Sequence, residues 1–245
     1  MSAPRFQVDA PLAAGAEIDL PERAARHVAV LRLRAGDEVV LFSGQGGEHA
    51  AKLTLVARSG VRAKVGAFRD IGRESPLAIT LAQCISAGDR MDLTLQKATE
   101  LGVKKIVPLI SERAVVRLKE ERAERRLQHW RAVVAAACEQ CGRNTIPDVA
   151  APVDLHTWLA APEARAADAA RLVLAPTATT NLGAMLKAQT AILLIGPEGG
   201  LADHELVAAK SAGFTPIRLG PRILRTETAP LAAITALQVL WGDLN

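Results

Sequence analysis

With 245 residues, 49% of them hydrophobic and 23% charged, the chain can bury a substantial core and is expected to form one or two soluble domains. No apolar run reaches the roughly 18 residues of a membrane span, and the opening MSAPRFQVDAPL has no charged-then-apolar leader, so a cytoplasmic protein without membrane contact is expected. Lysine and arginine total 30 against 26 acidic residues, which admits a polyanionic partner without requiring one, and three cysteines suit a reducing compartment with free thiols.

Up to about residue 70 the apolar segments are short: EIDL (17–20), HVAVLRL (27–33), DEVVLFSG (37–44), AAKLTLVA (50–57) and RAKVGAF (62–68). Apolar residues alternate with polar ones, and SGQGG and RSG have turn composition, so a small antiparallel β-barrel is predicted. RDIGRESP (69–76) is the natural linker, dividing residues 1–72 from residues 73–245. Beyond it, strand and helix patterns alternate. The strand candidates are Leu77 to Ile85, Lys105 to Ile110, Arg171 to Ala175, Ala191 to Ile195 and Pro216 to Leu219. The clearest helix runs from Lys119 to Cys141, with Ala123, Leu127, Trp130, Val134, Ala137 and Cys141 spaced four and three apart. APEARAADAA (161–170) reads as a loop or a weak helix. The alternation predicts an α/β domain, a mostly parallel sheet with helices on both faces.

Two strand ends carry unusual loops. LLIGPEGGLADHE (193–205) breaks an apolar run at Ile195 into a glycine-rich turn, followed by a helix with Asp203 near its start. Gly196, Gly199 and Gly200 remove side chains where backbone must approach something closely, at the carboxyl edge where open α/β sheets bind ligands. The turn is neither a Walker A loop nor a dinucleotide fingerprint. After Leu219, LGPRILRTETAP crowds Arg222, Arg225, Thr226, Glu227 and Thr228 together before Pro230, which fits the first turn of an apolar helix. By themselves these residues also fit a helix start with solvated arginines.

Together, IGPEGGLADHE, LGPRILRTETA and ALQVLWGDL resemble the C-terminal motifs of the RsmE family, bacterial 16S rRNA uridine-N3 methyltransferases of the SPOUT superfamily. RHVAVLRLRAGDEVVLFSG, GDRMDLTLQKATELGV, PLISERAVV and AACEQCGRN extend the resemblance over nearly the whole chain, in order. It implies an N-terminal PUA-like barrel that binds RNA and a C-terminal SPOUT domain with a deep trefoil knot that holds S-adenosylmethionine. It also implies a homodimer acting on 16S rRNA in the small ribosomal subunit. Carried over by motif, the cofactor contacts fall on Leu174 and Ala175, then on Ile195, Gly196, Pro197, Glu198, Gly199 and Gly200. A third group comprises Leu219, Gly220, Ile223, Leu224 and Thr226. Where relatives often carry a polar His-Pro-Arg sequence, this chain has LAPTATTNL, so a basic residue's role there has no counterpart.

Methyl transfer to a uracil imide needs the developing charge on the ring stabilised and its proton removed. Arg225 is assigned to that charge, with Glu227 or Glu139 as the base. The expected RNA contacts are Arg26, Arg32, Arg34, Lys97, Arg143, Asn144 and Arg222, the few aromatic residues leaving stacking to arginine planes. Lys97 has an ion pair with Glu100 as its competing assignment. Cys138 and Cys141 have Cys-x-x-Cys spacing but sit at a helix C-terminus without a second ligand pair, and no histidine has a partner at ligand spacing, so no metal is expected. The alternative functions are a catalytically silent RNA-binding or ribosome assembly factor, and a SPOUT methyltransferase acting on another RNA nucleotide.

Overall fold

The computed structural model describes residues 3–114 and 120–244. The expected helix start at Lys119 and the last two residues of PLISERAVV lie outside the described residues. The chain divides into two compact units, one of residues 1–74 with 135–146, the other of residues 75–134 with 147–245.

The first unit is a five-stranded sheet with a short helix and the C-terminal part of a second, longer one. Its elements are β1 (Arg5–Gln7), β2 (Glu17–Asp19), α1 (Glu22–Val30), β3 (Glu38–Phe42), β4 (Glu48–Ala57) and β5 (Gly60–Arg69), and the sheet order is β1-β3-β4-β5-β2. β3, β4, β5 and β2 pair antiparallel, as alternation predicts, but β1 joins β3 in parallel, which the sequence did not signal. Leu41, Leu53, Ala63 and Val65 bury one face against Ala24 and Val28 of α1. Half of HVAVLRL is therefore helix. Pro21 precedes the helix, Glu22 opens its first turn, and Ala24 and Val28 lie one turn apart on its buried side. α1 ends with Leu33 N–H donating to Val28 O and Arg32 N–H to Ala29 O, a Schellman closure in which Arg32 (φ 56°) occupies the left-handed position usual for glycine.

The second unit holds β6 (Ala78–Cys84), α2 (Asp89–Glu100), β7 (Lys105–Ile110) and the start of α3 (Glu120–Cys141). There follow β8 (Asp148–Val149), β9 (Val153–Asp154), α4 (Leu155–Ala160), β10 (Ala170–Leu174), β11 (Thr190–Ile195), α5 (Asp203–Ser211), β12 (Thr215–Ile217) and α6 (Thr228–Trp241). The sheet order is β12-β10-β11-β6-β7-β8, with β9 also on β7, and every pairing is parallel. Ala82, Cys84, Val107, Leu109, Val173, Ile192 and Leu194 pack with α4 and α5. Their alternates Leu81, Leu172, Ala191 and Leu193 are equally buried on the opposite face, where α6 lies against β11 and α2 against α6. Burial on both faces is why these strands read as unbroken apolar runs.

One strand end differs from the expectation. β12 stops at Ile217, so Leu219 belongs to the following loop, and the short strands β8 and β9 were not foreseen. APEARAADAA makes one 3₁₀ turn, Pro162–Arg165, before entering β10. Asp203, expected near the start of α5, is its first residue, and the Glu205 carboxylate accepts the Ala202 N–H at 2.8 Å.

Candidate functional site

β10, β11 and β12 lie side by side, so the loops leaving their carboxyl ends converge. They enclose a cavity of about 690 Å³, within the size range of small-molecule sites. Leu174 and Ala175 line it from β10; Ile195, Gly196, Pro197, Glu198, Gly199 and Gly200 from β11; and Leu219, Arg222, Ile223, Leu224, Arg225, Thr226 and Glu227 from the loop after β12. Of the expected cofactor contacts, Gly220 alone is absent from this lining; its left-handed backbone (φ 68°) turns the loop instead.

The glycines serve the turn before they serve any ligand. A Cβ on Gly196 would lie 3.0 Å from Leu201 N and 3.2 Å from Gly200 C, backbone atoms that cannot give way without opening the turn. Gly200 has open space around it but a left-handed φ of 68°. Thr226 Oγ1 donates to Gly196 O at 3.0 Å, and Gln83 Nε2, at the end of β6, donates to Thr226 Oγ1 at 3.3 Å. A buried amide and a buried hydroxyl thus pin two cavity loops to each other.

The charged rim includes two side chains to which the sequence assigned no role. Arg90 Nη1 donates to Glu198 Oε1 at 3.0 Å, while its Nε lies 3.9 Å from Glu227 Oε2. Arg113 Nη1 reaches Gly199 O at 3.3 Å. Both stand inside motifs that carry the family resemblance, GDRMDL and PLISER, and that membership was the only available signal. Burial pushes the Glu198 carboxyl up, but the Ala87 N–H at 2.9 Å, its own backbone and Arg90 outweigh that and hold it below its ordinary value. Arg222 and Arg225 are exposed on the rim, and Glu227 is mostly covered.

The remaining predicted residues have other surroundings. In the first unit Glu139 accepts the Gln7 N–H at 2.9 Å and Arg23 Nη2 at 2.8 Å, with His27 Nδ1 at 3.5 Å. That carboxylate has a structural duty independent of chemistry. Glu139→Ala is expected to lower unfolding stability by about 2 kcal/mol, because a buried N–H loses its acceptor; urea denaturation checks it, and an unchanged midpoint would free Glu139 for another role. Arg143 forks onto Glu74, and Asn144 bonds Arg5, Glu48 and Ile71 O, both side chains being buried. Burial raises the Glu48 carboxyl, but Arg5, Asn144 and Arg73 lower it further than that. Arg26, Arg32 and Arg34 are exposed, Arg26 only loosely facing Glu22 at 3.8 Å. Lys97 Nζ is 2.8 Å from Glu100 Oε1 on α2. Burial pushes the Cys138 thiol up to about 12, a neutral group at physiological pH that is unsuited to thiolate chemistry. Among the described residues, no three His, Cys, Asp or Glu side chains gather at metal-binding distance, and no helix is long and apolar enough to cross a membrane.

Residues 73–238 match the RNA methyltransferase domain family, and residues 20–66 match the RNA methyltransferase PUA domain family. The chain is 36% identical over 217 residues to the ribosomal RNA small subunit methyltransferase E of Buchnera aphidicola subsp. Schizaphis graminum, covering 88% of this chain and 87% of that one. It is 31% identical to the Bacillus subtilis protein of the same name, covering 88% of both. The crystal structure of the Neisseria gonorrhoeae ribosomal RNA small subunit methyltransferase E bound to S-adenosyl methionine superposes with a TM-score of 0.91 at 43% identity over the full length of both chains. A glycine turn and an arginine-bearing loop around one cavity, on a chain similar to these proteins from end to end, place it in the RNA methyltransferase family, among the ribosomal RNA small subunit methyltransferase E proteins.

Proposed function

We propose that the chain transfers the methyl group of S-adenosylmethionine to N3 of a uridine in 16S rRNA of the small ribosomal subunit. The observation that carries this reading is the cavity at the ends of β10, β11 and β12, with its glycine turn pinned by Thr226. Its residues suit the cofactor: Leu174, Ile195, Leu219 and Leu224 offer apolar walls for an adenine, and Glu198, Asp203 and Glu227 offer negative charge to an ammonium or sulfonium. S-adenosylmethionine, when bound, supplies an activated methyl carbon for in-line displacement.

The protein's own contribution is positioning and charge. As the bond from N3 to carbon forms and the sulfur–carbon bond breaks, N3 gives up its proton and charge gathers on the flanking uracil oxygens. Arg225, on the exposed rim, stabilises that charge. Glu227 takes the proton directly or through water, while Arg90 orients its carboxylate. Residues 1–72 serve as the PUA-like RNA-binding domain and residues 73–245 as the SPOUT methyltransferase domain, whose chain closes into a trefoil knot around the three cavity loops. Arg26, Arg32 and Arg34 contact rRNA phosphates, and Arg222 contacts RNA near the target base. Exposed Val239, Leu240 and Leu244, on and just after α6, supply apolar surface for a homodimer. The protein works in the cytoplasm, where its substrate is.

The test is transfer of tritium from labelled S-adenosylmethionine to small ribosomal subunits from a strain lacking the protein, followed by nucleoside analysis. Labelled 3-methyluridine is expected. Label in another nucleoside overturns the specificity, and no label with the cofactor bound overturns the enzymatic reading in favour of a binding factor.

A further inference from the structure

Glu205, in the first turn of α5, is about 1% exposed. Its Oε2 accepts the Ala202 N–H at 2.8 Å, and its Oε1 accepts the Glu112 N–H at 2.8 Å. The first donor lies where the glycine turn passes into α5. The second lies in the turn after β7, and the next residue of that turn is Arg113. Arg113 lines the cavity, with Nη1 3.3 Å from Gly199 O and 3.5 Å from Leu201 O. Gly199 accommodates it closely, since a Cβ there would sit 3.3 Å from Arg113 Cβ. A carboxylate that has left water needs donors in return, and here they are the backbones of the two segments that meet over the glycine turn.

We propose that Glu205 is a positioning residue for the cofactor cavity, a latch whose two oxygens tie the turn after β7 to the start of α5 and so hold Arg113 against Gly199. The proposal rests on reading the cavity as the S-adenosylmethionine site. Neither motif reveals the latch alone, because LADHE and PLISER supply one partner each. A glutamine at 205 keeps the size but has one acceptor oxygen for two N–H groups, and an aspartate is too short to span both.

The experiment combines Glu205→Gln, Glu205→Asp, Arg113→Ala and the Glu205→Gln/Arg113→Ala double variant. In calorimetry the S-adenosylmethionine Kd is expected to rise about tenfold in Glu205→Gln, with kcat at saturating cofactor within about threefold of wild type. If the latch acts through Arg113, the double variant binds no more weakly than Arg113→Ala; effects that add in full overturn the proposal. Trypsin gives a readout that does not depend on cofactor. Cleavage after Arg113, relative to cleavage after Lys187 in an exposed loop of the same unit, is expected to accelerate about tenfold in Glu205→Gln and Glu205→Asp, since a released turn opens locally. Equal relative rates overturn the latch whether or not cofactor binds. A wild-type chain that fails to bind S-adenosylmethionine sinks the proposed function instead, and proteolysis then decides the latch by itself.

Discussion

Arg225→Ala is expected to reduce kcat for rRNA methylation by about 100-fold to 1,000-fold, the range found when one preorganised donor to a developing oxyanion is removed. The side chain is exposed on the rim of the cavity, in the loop whose Thr226 holds Gly196 O, so its backbone stays fixed when the guanidinium is gone. The S-adenosylmethionine Kd is therefore expected to stay within a few fold. Arg225→Lys separates charge from geometry: it retains the cation but not the planar fork, and an intermediate rate is expected. Single-turnover methylation of small subunits, with Kd measured in parallel, checks both. Unchanged turnover in Arg225→Ala would remove the residue from the chemistry.

The second large effect is expected on binding. Gly196→Val places side-chain carbon where Leu201 N and Gly200 C already lie 3.0 and 3.2 Å from an ideal Cβ, so the turn must open. Overpacking of this kind costs about 1–3 kcal/mol. Because the displaced atoms are cavity walls, that energy should appear as a loss of cofactor affinity of about 10-fold to 100-fold. Gly72→Ala is the control: nothing lies within 4 Å of its Cβ and its backbone is not left-handed, so wild-type affinity is expected. Calorimetry on the two variants is decisive, and equal affinities would mean that the turn does not form the cofactor wall.

Much of the molecule was legible in the residue order. Lys105–Ile110 and Thr190–Ile195 stand out as apolar runs because parallel strands covered on both faces have no polar side. The glycine turn was legible because glycine suits the left-handed backbone of Gly200 and the close backbone approach at Gly196, where a Cβ has no room. HVAVLRL was harder. Its apolar residues fit a two-residue period as well as a helical one, and the choice fell to helix only because Ala24 and Val28 find a sheet to pack on. Among the site residues, those in the two loops were visible as motifs. Arg90 and Arg113 were visible only as unassigned arginines, because each partner lies in a distant segment: Arg90 on Glu198, Arg113 on Gly199. The buried duties of Glu139, Arg143 and Asn144 were hidden for the same reason, as AACEQCGRN does not name Gln7, Glu74 or Arg5.

Residue order alone therefore sets local features: which segments extend, where the chain must turn, and which residues carry charge beside a turn. Those properties follow from backbone sterics and from the spacing of apolar side chains, both of which act over a few residues. The tertiary structure decided which charges become partners and which loops become one cavity. Parallel pairing in the observed register sets the carboxyl ends of β6, β10, β11 and β12 side by side. Only in that arrangement do Gln83, Gly196 and Thr226 share hydrogen bonds, and only there does one carboxylate, Glu205, reach two segments at once.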